Sequence, residues 1–418
     1  MRILSGAAAA ASVRKISARG SRFEEVEPSV RRIIADVRRR GDRAVRKYAE
    51  RWDGLQRGVS LRVSEEEIKA AWKSARPDLK RALRAAVSNI RRFCEMQKPV
   101  EWMRTRQGIS VGQLVRPLNS VGCYVPGGRY PLMSTLLMTV IPAQVAGVEN
   151  IRVASPQPQV DVLAAAAMLG VGEVYRVGGA QAIAALAYGT ESISRVDKIV
   201  GPGNLYVTAA KKQVAFDCSI DFLAGPTEVV VVSDVGSPEF IAGDLIAQAE
   251  HDPETLAVFI TTRRDLANQV AGWVKKFIKK NAVARESIRR RGVILISASR
   301  QQSFDWANEI ASEHLTVDRA DLKLVRNAGS VFVGDYSPQA AGDYASGPNH
   351  VLPTAGAARF RGGLSVLDFV KLISVQKLSR TGLRRIAPLV ELLAETEGLQ
   401  GHAQSIRARC EHVRYGHA

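Results

Sequence analysis

Short runs of consecutive apolar residues, separated by stretches of helical periodicity, constrain this chain most. Asn150–Ser155, Glu173–Val177, Lys198–Val200, Glu228–Ser233, Ala257–Thr261, Val293–Ile296 and Ser330–Val333 are rich in Val and Ile, and apolar at successive positions. A strand with one wet face alternates apolar and polar residues; one that does not is covered on both faces, as in a parallel sheet. The intervals carry helical spacing at Val160–Leu169, Gln181–Tyr188, Leu205–Val214, Pro238–His251 and Arg264–Lys280. Alternation of the two predicts an α/β fold. At 418 residues the chain outgrows a single core, so at least two domains are expected.

The ends differ from the middle. Glu24–Trp52 and Ser64–Gln97 read as charged helices, with Val30, Ile33, Ile34 and Val37 marking a buried stripe. Residues 120–128, SVGCYVPGG, read as a strand running into a Gly-rich turn. From Leu364 onward the chain reads as helices, and no strand is expected there.

The net charge is +18. A nucleic-acid partner is one reading of such a balance. Most Arg and Lys residues, however, fill the outer faces of helices. Even the densest patch, Lys275–Arg291, holds eight basic residues and one Glu with no accompanying recognition motif. Nucleic-acid binding is therefore the remote alternative. No apolar run is long enough to span a membrane. Four widely spaced cysteines, Cys94, Cys123, Cys218 and Cys410, form no CxxC and point to a reducing, cytoplasmic setting.

Several Gly-rich turns border the apolar runs: PGG (126–128), VGGAQ (177–181), GPGN (201–204) and AGPTE (224–228). Ligands of open α/β sheets bind beyond the strand C-termini, where such turns lie. The full G-x-G-x-x-G is absent, since GVGEVY (170–175) and GPGNLY (201–206) both lack the third Gly, so a standard dinucleotide fingerprint is excluded. Taken singly, each turn reads more readily as plain chain reversal.

Histidines are few: His251, His314, His350, His402, His412 and His417. In QAEHD (248–252), Gln248 and His251 are three apart and share a helix face, which suits either one metal ion or a capped helix end. In ASEHL (311–315), Glu313 and His314 are adjacent. From a loop they would suit proton transfer; on a helix they would diverge. GDYASGPNHVLPT (342–354) is a loop holding Asp343 and His350. EGLQGH (397–402) sets Glu397 and His402 five apart.

Taken together, YVPGG, IPAQVAGV, VGGAQAIAALAYG, GPGNLYVTAAKK, IDFLAGPTEVVVV, QAEHD, SEHL, GDYASGPNHVLPT and EGLQGH occur in the order and rough spacing of one family. From about residue 25 to residue 410 the chain resembles the histidinol dehydrogenases. The resemblance implies two incomplete Rossmann-like domains with small helical N- and C-terminal pieces. It implies an N-terminal segment at 1–24 and a catalytic domain from 25–123 plus 233–363. An NAD-binding domain would be inserted at 124–232, and a tail at 364–418 would dock on the partner of a homodimer. Zinc would be bound by Gln248, His251, Asp343 and His402. His314 would be the acid/base and Glu313 the activator of water. NAD would be lined by Tyr124, Gln181 and Asn204. Thr227, His350 and Glu397 would contact L-histidinol, together with His314 and the four metal ligands. Glu397 and His402 would reach the partner's site.

Two positions depart from the family pattern. Thr227 stands where the family usually has Ser, which keeps the hydroxyl. The segment 127–138 lacks a small residue before Tyr-Pro and has Met133 and Ser134 where two Ser are common. A related zinc and NAD dehydrogenase for another polar alcohol, or for a sulfonated diol, is therefore the alternative. A carboxylate at 397 would repel a sulfonate.

Overall fold

The structure, a computed structural model, describes residues 1–20, 23–127 and 132–415. The strands are β1 Arg2–Ser5, β2 Trp102–Arg106, β3 Ile109–Pro117, β4 Ser120–Tyr124, β5 Asn150–Ala154, β6 Glu173–Tyr175 and β7 Lys198–Val200. They continue as β8 Ser219–Ile220, β9 Glu228–Val232, β10 Leu256–Thr261, β11 Gly292–Ile296, β12 His314–Val317, β13 Ser330–Val333 and β14 Val370–Leu378. The chain divides into two units, residues 1–97 with 118–369, and residues 98–117 with 370–418.

The larger unit holds two parallel sheets, ordered β1-β11-β10-β9-β12-β13 and β6-β5-β4-β7-β8. Strand β9, EVVVV, shows why alternation is missing. Val230 and Val232 enter the core on one face, with Phe304, Trp306 and Leu315. Val229 and Val231 enter the core on the other, with Leu245, Phe259 and Val270. Helices cover both faces, as the apolar runs require.

The helices Glu27–Arg40 and Asp42–Trp52 correct the expected grouping of residues 25–123 with the catalytic sheet. Their stripe, Val30, Ile33, Ile34 and Val37, shares a core with Ile183, Leu186 and Val207 of the five-stranded half. That half presents small-residue helices, Gly179–Tyr188 and Leu205–Val214, on which a bulky aliphatic stripe seats closely. β4 also belongs to the five-stranded sheet, although the expected boundary ran through its last residue. The first residues are likewise more than a leading segment. β1 is the edge strand of the six-stranded sheet, in register with β11 from Arg2↔Val293 to Ser5↔Ile296. The helix Gly6–Ser17 that follows buries Ala9 and Val13 in the same core as β9.

The smaller unit corrects the reading of the C-terminal tail as helical throughout. β14 lies antiparallel to β3 over nine residue pairs, and β2 flanks β3 on its other edge. Two helices follow, Arg380–Thr396 and Gln400–Tyr415. Among the described residues no helix is long and apolar enough to cross a membrane.

Candidate active site

Glu313 and His314 sit where a helix gives way to a strand. The helix Arg300–Ile310 ends at Ala311, whose φ of 50° is left-handed, and His314 opens β12. Glu313 therefore closes the short connection and His314 opens the strand, so the pair lies on a loop-to-strand junction and not on a helix. Parallel pairing sets His314 opposite Val229, which brings both side chains to Glu228, the first residue of β9. The Glu228 amide donates to Glu313 Oε2 at 2.9 Å. The Glu228 carbonyl meets His314 Nδ1 at 3.2 Å. A carbonyl only accepts, so Nδ1 carries the proton in this contact. The neutral ring then has its lone pair at Nε2, which is buried without a hydrogen-bond partner.

Asp343 closes the other side. Its Oδ1 lies 3.5 Å from His314 Nε2, an electrostatic contact. Its Oδ2 accepts from Gln248 Nε2 at 3.0 Å, and its backbone carbonyl meets His350 Nδ1 at 2.6 Å. Thus Gln248, Glu313, His314, Asp343 and His350, drawn from three stretches of sequence, converge on one cluster. Phe332 stacks on the His314 ring with centroids 5.9 Å apart. Gly342 is required here, because a Cβ would come within 2.7 Å of the Phe332 ring.

Burial pushes Glu313 far above the usual carboxylate range, to about 8, against the opposing pull of His314 and the Glu228 amide. Burial alone would lower His314, but Glu313 and Asp343 more than offset it, and its pKa is raised. Asp343 is raised by burial but drawn down further by His314, and ends below its ordinary value. His350 is lowered by burial.

His251 lies just past the helix Pro238–Ala249 that carries Gln248, and is exposed. Thr227 is half-buried immediately before Glu228. Glu397 and His402 belong to the smaller unit, the first capping the helix Arg380–Thr396 and the second in the helix Gln400–Tyr415; both are exposed. His417 and the side chain of His412 lie outside the described residues, as do residues 128–131 of the atypical 127–138 segment. Among the described residues no three His, Cys, Asp or Glu side chains form a group that would hold a metal ion.

Tyr124, Gln181 and Asn204 line one cavity of about 590 Å³, with Pro126, Ser155, Pro156 and Gly179. It opens beyond the C-terminal ends of β4 and β5, where a parallel sheet binds its ligands. Gly179, at φ 61°, turns its amide to the Tyr124 hydroxyl at 3.1 Å. Asn204 Oδ1 caps the helix Leu205–Val214 by accepting from Tyr206 and Val207, which leaves its amide nitrogen to donate elsewhere. Gln181 donates to Asp53 at 3.0 Å. Asp53 also accepts from Gly178 and borders the cavity, and sequence reading missed it. Glu228 was missed as well. Its one signal is an acid heading a run of four valines, adjoining Thr227.

The comparisons with known proteins agree. The family model described as histidinol dehydrogenase matches residues 17–410. The chain belongs to the histidinol dehydrogenase family. It is 50% identical over 400 residues to a histidinol dehydrogenase of Methanothermobacter thermautotrophicus, covering 92% of this chain and 94% of that one. A histidinol dehydrogenase of Methanosarcina barkeri is 44% identical over 416 residues, covering 96% and 95%. The crystal structure of histidinol dehydrogenase from Elizabethkingia anophelis superposes with a TM-score of 0.94 at 34% identity, covering 99% of each chain. Histidinol dehydrogenases are NAD-linked oxidoreductases of histidine biosynthesis, and the fold and activity expected from the sequence motifs are thereby established.

Proposed function

We propose that the chain oxidises L-histidinol to L-histidine in two successive steps through the aldehyde, with His314 as acid/base and Glu313 as the activator of water. The observation that carries this reading is the pinned His314 ring, which gives its Nδ1 proton to the Glu228 carbonyl and holds Nε2 bare inside the site. A neutral imidazole so oriented takes the proton of the substrate alcohol. The imidazolium then formed favours the carboxylate form of Glu313, so the first step prepares the base for the second. Glu313 deprotonates water for attack on the aldehyde carbon while the imidazolium of His314 returns its proton to the carbonyl oxygen, and the resulting gem-diol surrenders a hydroxyl proton to the neutral imidazole so restored. NAD bound against Tyr124, Gln181 and Asn204 would accept a hydride at each step.

Gln248, His251 and Asp343, with His402, would hold zinc. One amide, one carboxylate and two imidazoles suit that ion, and the first and third of these side chains already touch. Zinc there would supply Lewis acidity and orient a polar, nitrogen-bearing substrate. Thr227, His350 and Glu397 would complete the substrate pocket. We further propose that Glu397 and His402 serve the site of a second copy in a homodimer. The helix carrying Glu397 exposes Leu389, Leu392 and Leu393, an apolar face suited to burial against another subunit. The four cysteines are free, as they would be in the cytoplasm.

The test is NADH formation at two per L-histidinol, compared with a panel of polar alcohols and a sulfonated diol. Chelation should abolish it and added zinc restore it. Turnover of the diol in place of histidinol would refute the substrate. Full activity of metal-free protein would refute the metal.

A further inference from the structure

The Glu313–His314 pair rests on the backbone of Glu228, so whatever fixes Glu228 fixes the pair. The Glu228 side chain is buried, with 5% of it exposed, and its Oε1 accepts from the Ala355 amide at 3.0 Å. Its two oxygens take the guanidinium of Arg19 in a two-pronged contact, Nε to Oε1 at 2.5 Å and Nη2 to Oε2 at 2.6 Å. The same Nη2 donates to the carbonyl of Ile310 at 3.0 Å, and Nη1 donates to Ile16 at 2.9 Å. Ile310 ends the helix that leads, through left-handed Ala311, directly into Glu313. One side chain therefore fastens both approaches to the pair, the strand residue that holds it and the helix end that delivers it. Arg19 follows the helix Gly6–Ser17, which is anchored in turn by the edge strand β1.

We propose that Arg19 is a positioning residue of the active site, holding Glu228 and Ile310 so that His314 presents Nε2 and Glu313 meets the Glu228 amide. This rests on the reading that Glu313 and His314 do the chemistry. A planar fork is needed for it. An ammonium ion can neutralise Glu228, but it cannot span two carboxylate oxygens and a carbonyl in one plane. Displacements of about 1 Å in such a constellation cost on the order of 10²-fold in rate.

The experiment uses the full chain as Arg19→Lys and Arg19→Met. In the folded variants kcat should fall at least about tenfold, while KM for histidinol and for NAD stays within about threefold. Arg19→Lys should recover most of the thermal stability lost in Arg19→Met without recovering kcat. Should Arg19→Met fail to fold, Arg19→Lys decides alone. A second readout is independent of substrate. Nitrogen spectra of histidine-labelled protein at alkaline pH should show His314 as the Nδ1–H tautomer, assigned by its loss in His314→Asn, and Arg19→Lys should move that signal. A folded Arg19→Lys with wild-type kcat, a loss carried in KM alone, or an unmoved His314 signal would overturn the proposal. Failure of the wild-type chain to oxidise histidinol would instead overturn the function reading, and the spectra would still judge Arg19.

Discussion

Replacing Lys211 by Met should destabilise the larger unit and loosen the cofactor cavity together. Lys211 and Asp221 form an ion pair whose side chains are 2% and 0% exposed. Lys211 Nζ donates to the Gly201 carbonyl at 3.0 Å, while Asp221 accepts from the Gly201 amide at 2.8 Å and from Phe222 at 2.6 Å. Both backbone polar groups of Gly201, which opens the GPGN turn ahead of Asn204, thus hang on this pair. Removing one partner of a buried pair strands the other charge and costs about 3–5 kcal/mol. A cooperative unit of about 350 residues, at about 2.1 cal/mol/K of unfolding entropy per residue, loses about 5 °C in Tm for such a change. KM for NAD should rise with it, as the Asn204 turn slackens. Calorimetry and NADH kinetics on Lys211→Met, alone and combined with Asp221→Asn, test the reasoning. The double variant, with no stranded charge, should regain at least half of the lost Tm. A Tm within about 1 °C of wild type for the single variant would refute the energetic argument, and a double variant no better than the single would refute its cause.

His314→Asn should slow oxidation of the alcohol by about 10²–10⁴-fold. Glu313→Gln should chiefly slow oxidation of the aldehyde, and equal losses with histidinol and histidinal as substrates would remove the assigned division. Asp244 is raised to about 7 by burial, with Asp335 adding to it. The folded form then holds a proton that the unfolded form sheds near pH 4, so stability falls as pH rises from about 4 to 7. Asp244→Asn should therefore raise Tm at pH 8 relative to wild type and not at pH 4, and a parallel offset at both would count against it. Coexpressed His314→Asn and His402→Ala chains, isolated as mixed dimers, should show about half the wild-type activity per dimer, because one shared site collects both lesions. Mixed dimers as inactive as either parent would place the site in one chain.

Burial on two faces made β9 and β10 readable, as runs of four and five consecutive apolar residues rich in Val and Ile. β14 was not readable. Its apolar residues Val370, Leu372, Ile373, Val375 and Leu378 contain three pairs at i, i+3, which imitates a helix face, and only pairing with β3 decides the matter. β1 is four residues long and takes its conformation from β11. β12 was hidden because its first residue is a site residue, so the run opens with a polar group. The site shows the same division. Residues in Gly-rich or His-bearing stretches announced themselves. Arg19 and Glu228 act through a contact 209 residues apart in sequence, and no local pattern encodes that.

The cavity lined by Tyr124, Gln181 and Asn204 lies beyond strand C-termini, where open α/β sheets bind ligands, but the proposed acid/base pair does not. Glu228 and His314 both stand at the N-terminal ends of parallel strands. The two halves of the site are joined by the stretch from Asp221 to Glu228. Ala224 accepts from Thr208, one turn into the helix that Asn204 caps. Gly225 donates to Thr354, and four residues after Ala224 the backbone of Glu228 holds the catalytic pair. A chain segment of that length spans at most about 14 Å. Ala224, bonded to the helix that Asn204 caps, and the Glu228 backbone that holds Glu313 and His314 are therefore kept close by AGPTE itself. Lengthening this loop should therefore part the proposed NAD cavity from the proposed acid/base pair, and an insertion in AGPTE that leaves NADH formation at the wild-type rate would refute the argument.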